Sequence, residues 1–277
     1  MRRSIPTGLA GLAAGVFLLL GATACSGDDS GGPLDGPDTT DAPEGVTTTA
    51  PDDGPAADGE LTAYCDAALA IELTAPFEGE TDADAAQWVT DELVPRIEAV
   101  MASAPAEITD DLAIQAAAID EAAATGDFAR FGTPEVDAAE ERTHQFDLDN
   151  CGWQVQDVMA TEYDYGDIPA TLAAGPTTFE LDNQGAEVHE VVIARKNPGV
   201  TESVEELVAD EAGETKVTTL NDVNADPGTA DYVVVDLEPG EYIMVCFVPM
   251  GMTSMDDEPT SAPPHYTSGM VAEFTVA

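Results

Sequence analysis

Residues 239–270 read PGEYIMVCFVPMGMTSMDDEPTSAPPHYTSGM. Pro239-Gly240 forms a tight turn, and the apolar, β-rich run that follows predicts a strand over EYIMVCFV. Cys246 stands alone in that run. His265 and Met270 follow it, beyond a long stretch rich in Met and Pro. Cys246 has three readings: a buried small side chain, half of a disulfide, or a metal ligand. Choosing among them requires the other three cysteines to be placed.

Cys25 closes the opening segment MRRSIPTGLAGLAAGVFLLLGATAC. Arg2 and Arg3 make a positive start. The apolar stretch 8–20 is too short and Gly-rich for a permanent membrane span, and small residues precede the cysteine. Residues 1–25 therefore look like a bacterial lipoprotein signal with Cys25 as the lipidated residue. The alternative is an ordinary secretory signal cut near Ala24. In both cases the expected protein is exported, and in the first it is anchored by lipid to the extracytoplasmic face of the cell membrane.

Residues 26–60 are Gly, Pro, Thr, Asp and Glu with almost nothing to bury, which predicts a disordered acidic linker. A flexible chain of that length reaches about 30 Å. The formal net charge is −47, and lysine occurs only at 196 and 216. That balance excludes nucleic acid as a partner, since phosphate binding needs a basic surface.

Between 61 and 152 the apolar residues recur at three- and four-residue spacing. Val89, Leu93, Ile97 and Val100 form one stripe, and Ile108, Leu112 and Ile119 another. Four helical stretches predict a small helical bundle, with Pro95 kinking the second helix and Thr133 capping the last. Helices running up and down bring the chain in and out at one end, so Cys65 and Cys151 can pair in an oxidising compartment. The segment resembles a helical domain of exported actinobacterial lipoproteins that begins Tyr-Cys and ends Cys-Gly, here Tyr64-Cys65 and Cys151-Gly152. That resemblance names no function.

From 153 to 277 the period changes. TTFELDN, HEVVIAR, KVTTL, DYVVVDL, EYIMVCFV and MVAEFTV are strand-like runs between turn residues, and SVEELVAD is one short helical piece. This predicts a β-sandwich. With Cys25 lipidated and Cys65 paired with Cys151, Cys246 is the odd cysteine. Two of the chain's three histidines, His189 and His265, fall in the same segment.

Residues 165–277 resemble a cupredoxin, the plastocyanin-like Greek-key sandwich that carries a blue type 1 copper ion. TTFELDNQGAEVHEVVI resembles the family segment in which a strand ending near an Asn leads to the first ligand histidine, here His189. PGEYIMVC resembles its Pro-Gly-x-Tyr strand ending in the ligand cysteine, here Cys246. HYTSGM resembles its final His, four residues, Met, here His265 and Met270. The resemblance implies copper as cofactor, one-electron transfer to an unknown redox partner, and a site at one end of the sandwich partly exposed through a histidine edge. Thiolate, two imidazoles and a weak thioether suit both copper oxidation states.

Two departures stand out. Eighteen residues separate Cys246 from His265, where plastocyanin has two. Glu190 follows His189, where the family commonly has an Asn that ties the ligand loops together. Each ligand also has a plainer reading: Cys246 and Met270 as core, His189 and His265 as singly hydrogen-bonded histidines. Met250, Met252 and Met255 in the long loop are accessory Cu(I) ligands or simple gap fillers, and the reading as fillers is preferred. His144 is read as solvated or capping. No metal-hydrolase, Gly-x-Ser-x-Gly or phosphate-loop pattern appears, so an enzyme is not expected. The rival functions are a Cu(I) carrier or storage protein and a metal-free interaction module.

Overall fold

The computed structural model describes residues 61–277 other than Glu78, Glu80, Glu211, Asp256 and Glu258. The signal segment, Cys25 and the acidic linker lie outside the described residues. Among those described, no helix is long and apolar enough to cross a membrane.

Five helices come first: α1 (Thr62–Glu72), α2 (Asp82–Trp88), α3 (Val94–Ser103), α4 (Thr109–Thr125) and α5 (Pro134–Asn150). Thr81 and Asp84 cap α2 reciprocally, each side chain accepting the other's backbone N–H. The predicted second helix is α2 and α3 joined by a π-helical turn, Val89–Leu93, immediately ahead of Pro95. The wider turn accommodates a residue with no N–H and a ring that crowds the carbonyl four residues back. Gly126 ends α4 at φ +73°, and a Cβ there would lie 2.0 Å from the Asp82 carbonyl oxygen, so close helix approach also demands glycine. Thr133 precedes α5 without capping it, because its hydroxyl donates to the Arg130 carbonyl instead.

The two predicted stripes face one core: Val89, Ile97, Val100, Ile108, Leu112 and Ile119 are all buried there with Tyr64. Cys65 and Cys151 form a disulfide between the start of α1 and the end of α5. Closing a loop of that length contributes roughly 4 kcal/mol in the chain-entropy picture.

Eight strands follow: β1 (Gln154–Ala160), β2 (Thr171–Leu172), β3 (Gly175–Asn183), β4 (His189–Lys196), β5 (Val217–Ala225), β6 (Ala230–Leu237), β7 (Gly240–Val245) and β8 (Val271–Val276). They form a three-stranded sheet, β1-β3-β6, and a five-stranded sheet, β2-β8-β7-β4-β5. A short helix, α6 (Val204–Ala209), lies between β4 and β5 and is capped by Ser203 and Glu206. The sequence reading did not find β1 and β2. Phe179, Leu181, Val191, Ile193, Val233, Val235, Tyr242, Met244 and Phe274 fill the space between the sheets, following the two-residue alternation of their strands.

In the smaller sheet, β6 is covered on both faces. Val233 and Val235 of β6 point into the sandwich, whereas Val234 and Tyr232 join the helical core with Trp153. The helices are therefore packed against the sandwich rather than closed on themselves. This placement corrects the reading of His144: it is buried on α5 and stacked on Tyr232 with ring centroids 3.6 Å apart.

Candidate metal centre

Register places the ligand candidates. The interior row of β4 begins His189, Val191, Ile193, and that of β7 runs Tyr242, Met244 and on to Cys246. Val245 pairs with Val192 on one side and Val271 on the other. One residue further along, the Cys246 N–H donates to the Met270 carbonyl at 3.2 Å. Three neighbouring strands thus present His189, Cys246 and Met270 as the last interior positions at one end of the sandwich, all fully buried.

The long loop delivers His265 to the same end because its neck is tied. The His265 N–H donates to the Val248 carbonyl at 2.9 Å and the Tyr266 N–H to the Cys246 carbonyl at 3.0 Å. Pro249 and Pro264 form a bridge beside them. The residues between leave and return at one point, so loop length has no bearing on where His265 sits. Beyond the neck the loop folds over the β3–β4 and β5–β6 turns, with the Val188 N–H donating to the Met252 carbonyl and the Met255 N–H to Asp226.

Among the described residues, one group of His, Cys, Asp and Glu side chains brings its donor atoms within 4.8 Å of one another: His189, Cys246 and His265. The His265 Nδ1 lies 3.2 Å from the His189 Nδ1 and 3.3 Å from the Cys246 Sγ. Met270 packs in the same core cluster as Cys246. The three methionines of the loop differ in burial. Met252 is buried in the sandwich core, Met250 is half-buried and Met255 is exposed.

Burial sets the protonation. It lowers the His189 pKa to about 4, aided by His265, and it lowers that of His265 as well. Burial, with the charge of Glu190 second, pushes the Cys246 thiol up to about 12. Without a cation the group is therefore two neutral imidazoles and a protonated thiol, and a metal would enter by displacing the thiol proton. A buried set of two imidazoles, one thiol and an adjacent thioether fits copper, whose two oxidation states accept that mixture.

Surrounding residues hold the ligands in place. Asn183, at the end of β3, donates to the Glu187 and Ala225 carbonyls and accepts the Gly185 N–H. The Glu190 carboxylate accepts the Phe247 N–H at 2.9 Å and so joins the segment after His189 to that after Cys246. Tyr165 donates to the Glu190 carbonyl at 2.5 Å.

No histidine edge reaches solvent, which corrects the expected exposure. His189 and His265 are each 0% exposed. The Tyr163 ring lies 4.7 Å from that of His265, and the carboxylate of Glu187 lies 3.1 Å from the His265 Nε2. The carboxylate of Glu162 lies 3.7 Å from the His189 Nε2. The sequence reading did not anticipate these two acids, and nothing in their spacing marks them. What is exposed beside the site is Phe247, edge-on to Tyr266 at 5.5 Å.

Comparison with solved structures finds matches over a little under half of the chain. The chain is similar to auracyanins. Auracyanin B is 20% identical, with 45% of this chain and 88% of that chain covered at a TM-score of 0.31. Reduced auracyanin from Roseiflexus castenholzii is 22% identical, covering 45% and 97% at 0.31. Auracyanin A, a blue copper protein from Chloroflexus aurantiacus, is 16% identical, covering 44% and 99% at 0.30. No family model and no curated protein matches the chain.

Proposed function

We propose that this protein is an exported, lipid-anchored electron carrier of the cupredoxin type, with one copper ion held by His189, Cys246, His265 and Met270. The observation that carries the proposal is the buried convergence of two imidazole Nδ1 atoms and one thiol at the end of a sandwich, beside a buried methionine. Bound there, copper would supply one-electron chemistry, cycling between two oxidation states in a fixed donor set.

The chain's own residues do the rest. Cys246 would hold the ion through its thiolate, His189 and His265 through imidazole nitrogens, and Met270 through its thioether sulfur. Asn183 and Glu190 keep the strand ends from parting, which limits rearrangement as the charge changes. Four protein donors leave no open position for a substrate, so the proposed role is transfer rather than catalysis. Export is supported by the signal-like residues 1–25 and by the Cys65–Cys151 disulfide, a bond favoured in an oxidising compartment. The helical segment would space the sandwich from the membrane or present it to a redox partner.

The test is the visible spectrum of the purified protein with one equivalent of Cu(II), beside Cys246→Ser. The proposal expects an intense thiolate-to-copper band that the substitution abolishes. Absence of the band and of retained copper in the unsubstituted protein would remove the proposal and favour a metal-free interaction module.

A further inference from the structure

We propose that Glu162 and Glu187 are positioning residues for the two ligand imidazoles, and that their negative charges hold the reduction potential of the site low. This inference rests on the copper reading above. Each imidazole turns its Nδ1 toward Cys246 or the other ring and its Nε2 toward a carboxylate. Glu187 spans three partners. One oxygen faces the His265 Nε2 at 3.1 Å and accepts the Gly251 N–H at 2.5 Å, and the other accepts the Tyr163 hydroxyl at 3.3 Å.

Glu162 is held equally firmly. Its Oε1 accepts the backbone N–H groups of Ala186 and Glu187 and faces the His189 Nε2 at 3.7 Å. That distance is longer than a hydrogen bond, and the His189 Nε2 has no hydrogen-bond partner among the described residues. Gly185 makes the approach possible. A Cβ there would stand 2.5 Å from the Glu162 Oε1 and 2.7 Å from the His189 Nε2, so any side chain would wedge the two apart.

A carboxylate behind a metal-bound imidazole fixes its orientation and raises its donor strength. Charge counting gives the direction. Two carboxylates and a thiolate offset a Cu(II) ion to a net charge of −1, and reduction takes the same site to −2. In a buried site the more positive state is favoured, so the potential falls. The plainer alternative is that both acids only anchor loops through backbone N–H groups. Glu→Gln separates the two roles, because it keeps the acceptor oxygen and removes the charge.

The experiment is a redox titration of the copper-loaded protein, unsubstituted and with Glu187→Gln, Glu162→Gln and both, following the thiolate-to-copper band. Glu187→Gln is expected to shift the Cu(II)/Cu(I) balance about tenfold toward Cu(I), or about 59 mV upward for one electron. Glu162→Gln should shift it less, given the longer contact, and the double variant more than either. The band certifies that each variant is folded and loaded. If Glu187→Gln fails to fold, Glu162→Gln carries the same test. An intact band with an unchanged potential in both variants would overturn the inference and leave the copper site standing. Failure of the unsubstituted protein to give the band would overturn both.

Discussion

Asn183 ends β3 fully buried, and its amide donates to the carbonyl oxygens of Glu187 and Ala225 at 2.9 and 2.8 Å. Its side-chain oxygen accepts the Gly185 N–H at 2.9 Å. Replacing it by Ala removes these three hydrogen bonds beside the ligand turn. Asn183→Ala should destabilise the metal-free protein by about 2–4 kcal/mol in urea unfolding. A change below about 0.5 kcal/mol would show that the turn holds itself. At this scale the ligand candidates were legible because strand alternation and the His, Cys, His, Met order act together. Glu162 and Glu187 were not, because each pairs with its histidine across a turn or a loop whose path no local pattern encodes. His144 was misread because burial of a helix face by a sheet is invisible in the helix's own sequence.

The long loop between β7 and β8 shows what an element adds. Its length was the main departure from the plastocyanin pattern, yet the tied neck makes the insertion neutral for the position of His265. Its methionines then divide by environment. Met252 is 6% exposed and packed in the sandwich core, whereas Met255 is 42% exposed. Met252→Ala should cost about 2–4 kcal/mol, and Met255→Ala should stay within about 0.5 kcal/mol, by thermal or urea unfolding. Equal small effects, coupled to a loss of Cu(I) binding, would instead favour the Cu(I)-carrier role. Loop contacts of this kind depend on which turn the loop falls across, so the sequence supplied the preference for gap filling but not the fate of each methionine. The triple Val233-Val234-Val235 did carry a signal for burial on both faces, since a half-exposed strand alternates.

Across the whole molecule the junction of helices and sandwich collects acids. Burial pushes Glu72 up to about 8, Glu140 and Asp147 to about 7, and Asp231 to about 8. None of them forms an ion pair with a basic side chain among the described residues, although Tyr64 donates to Asp147 at 2.7 Å. The folded chain therefore holds protons that the unfolded chain releases near its ordinary carboxylate pKa of about 4. Stability from these groups is complete below that pH and is lost as pH rises through 7 to 8. His144 works in the opposite direction. Burial lowers it from 6.5 to about 4, so its contribution is complete above pH 6.5 and is lost as pH falls toward 4. Above about pH 7, where His144, His189 and His265 are neutral in both states, the carboxylates dominate and the buried Cys246 thiol acts in the same direction, so the Tm of the metal-free protein should fall as pH rises further. Asp147→Asn should flatten the fall, and a Tm that rises with pH would contradict the account. The four-helix pattern and the disulfide were legible in the sequence. The acidic junction was not, because it forms between α1, α5 and β6, three elements far apart along the chain.

The central claim concerns where one ion sits, and anomalous diffraction at the copper edge from crystals of the Cu(II)-loaded protein addresses it most directly. The account predicts a single peak enclosed by the His189 Nδ1, the Cys246 Sγ and the His265 Nδ1, with the Met270 sulfur at a longer distance. A peak among Met250, Met252 and Met255, or on surface carboxylates with the buried triad vacant, would contradict it.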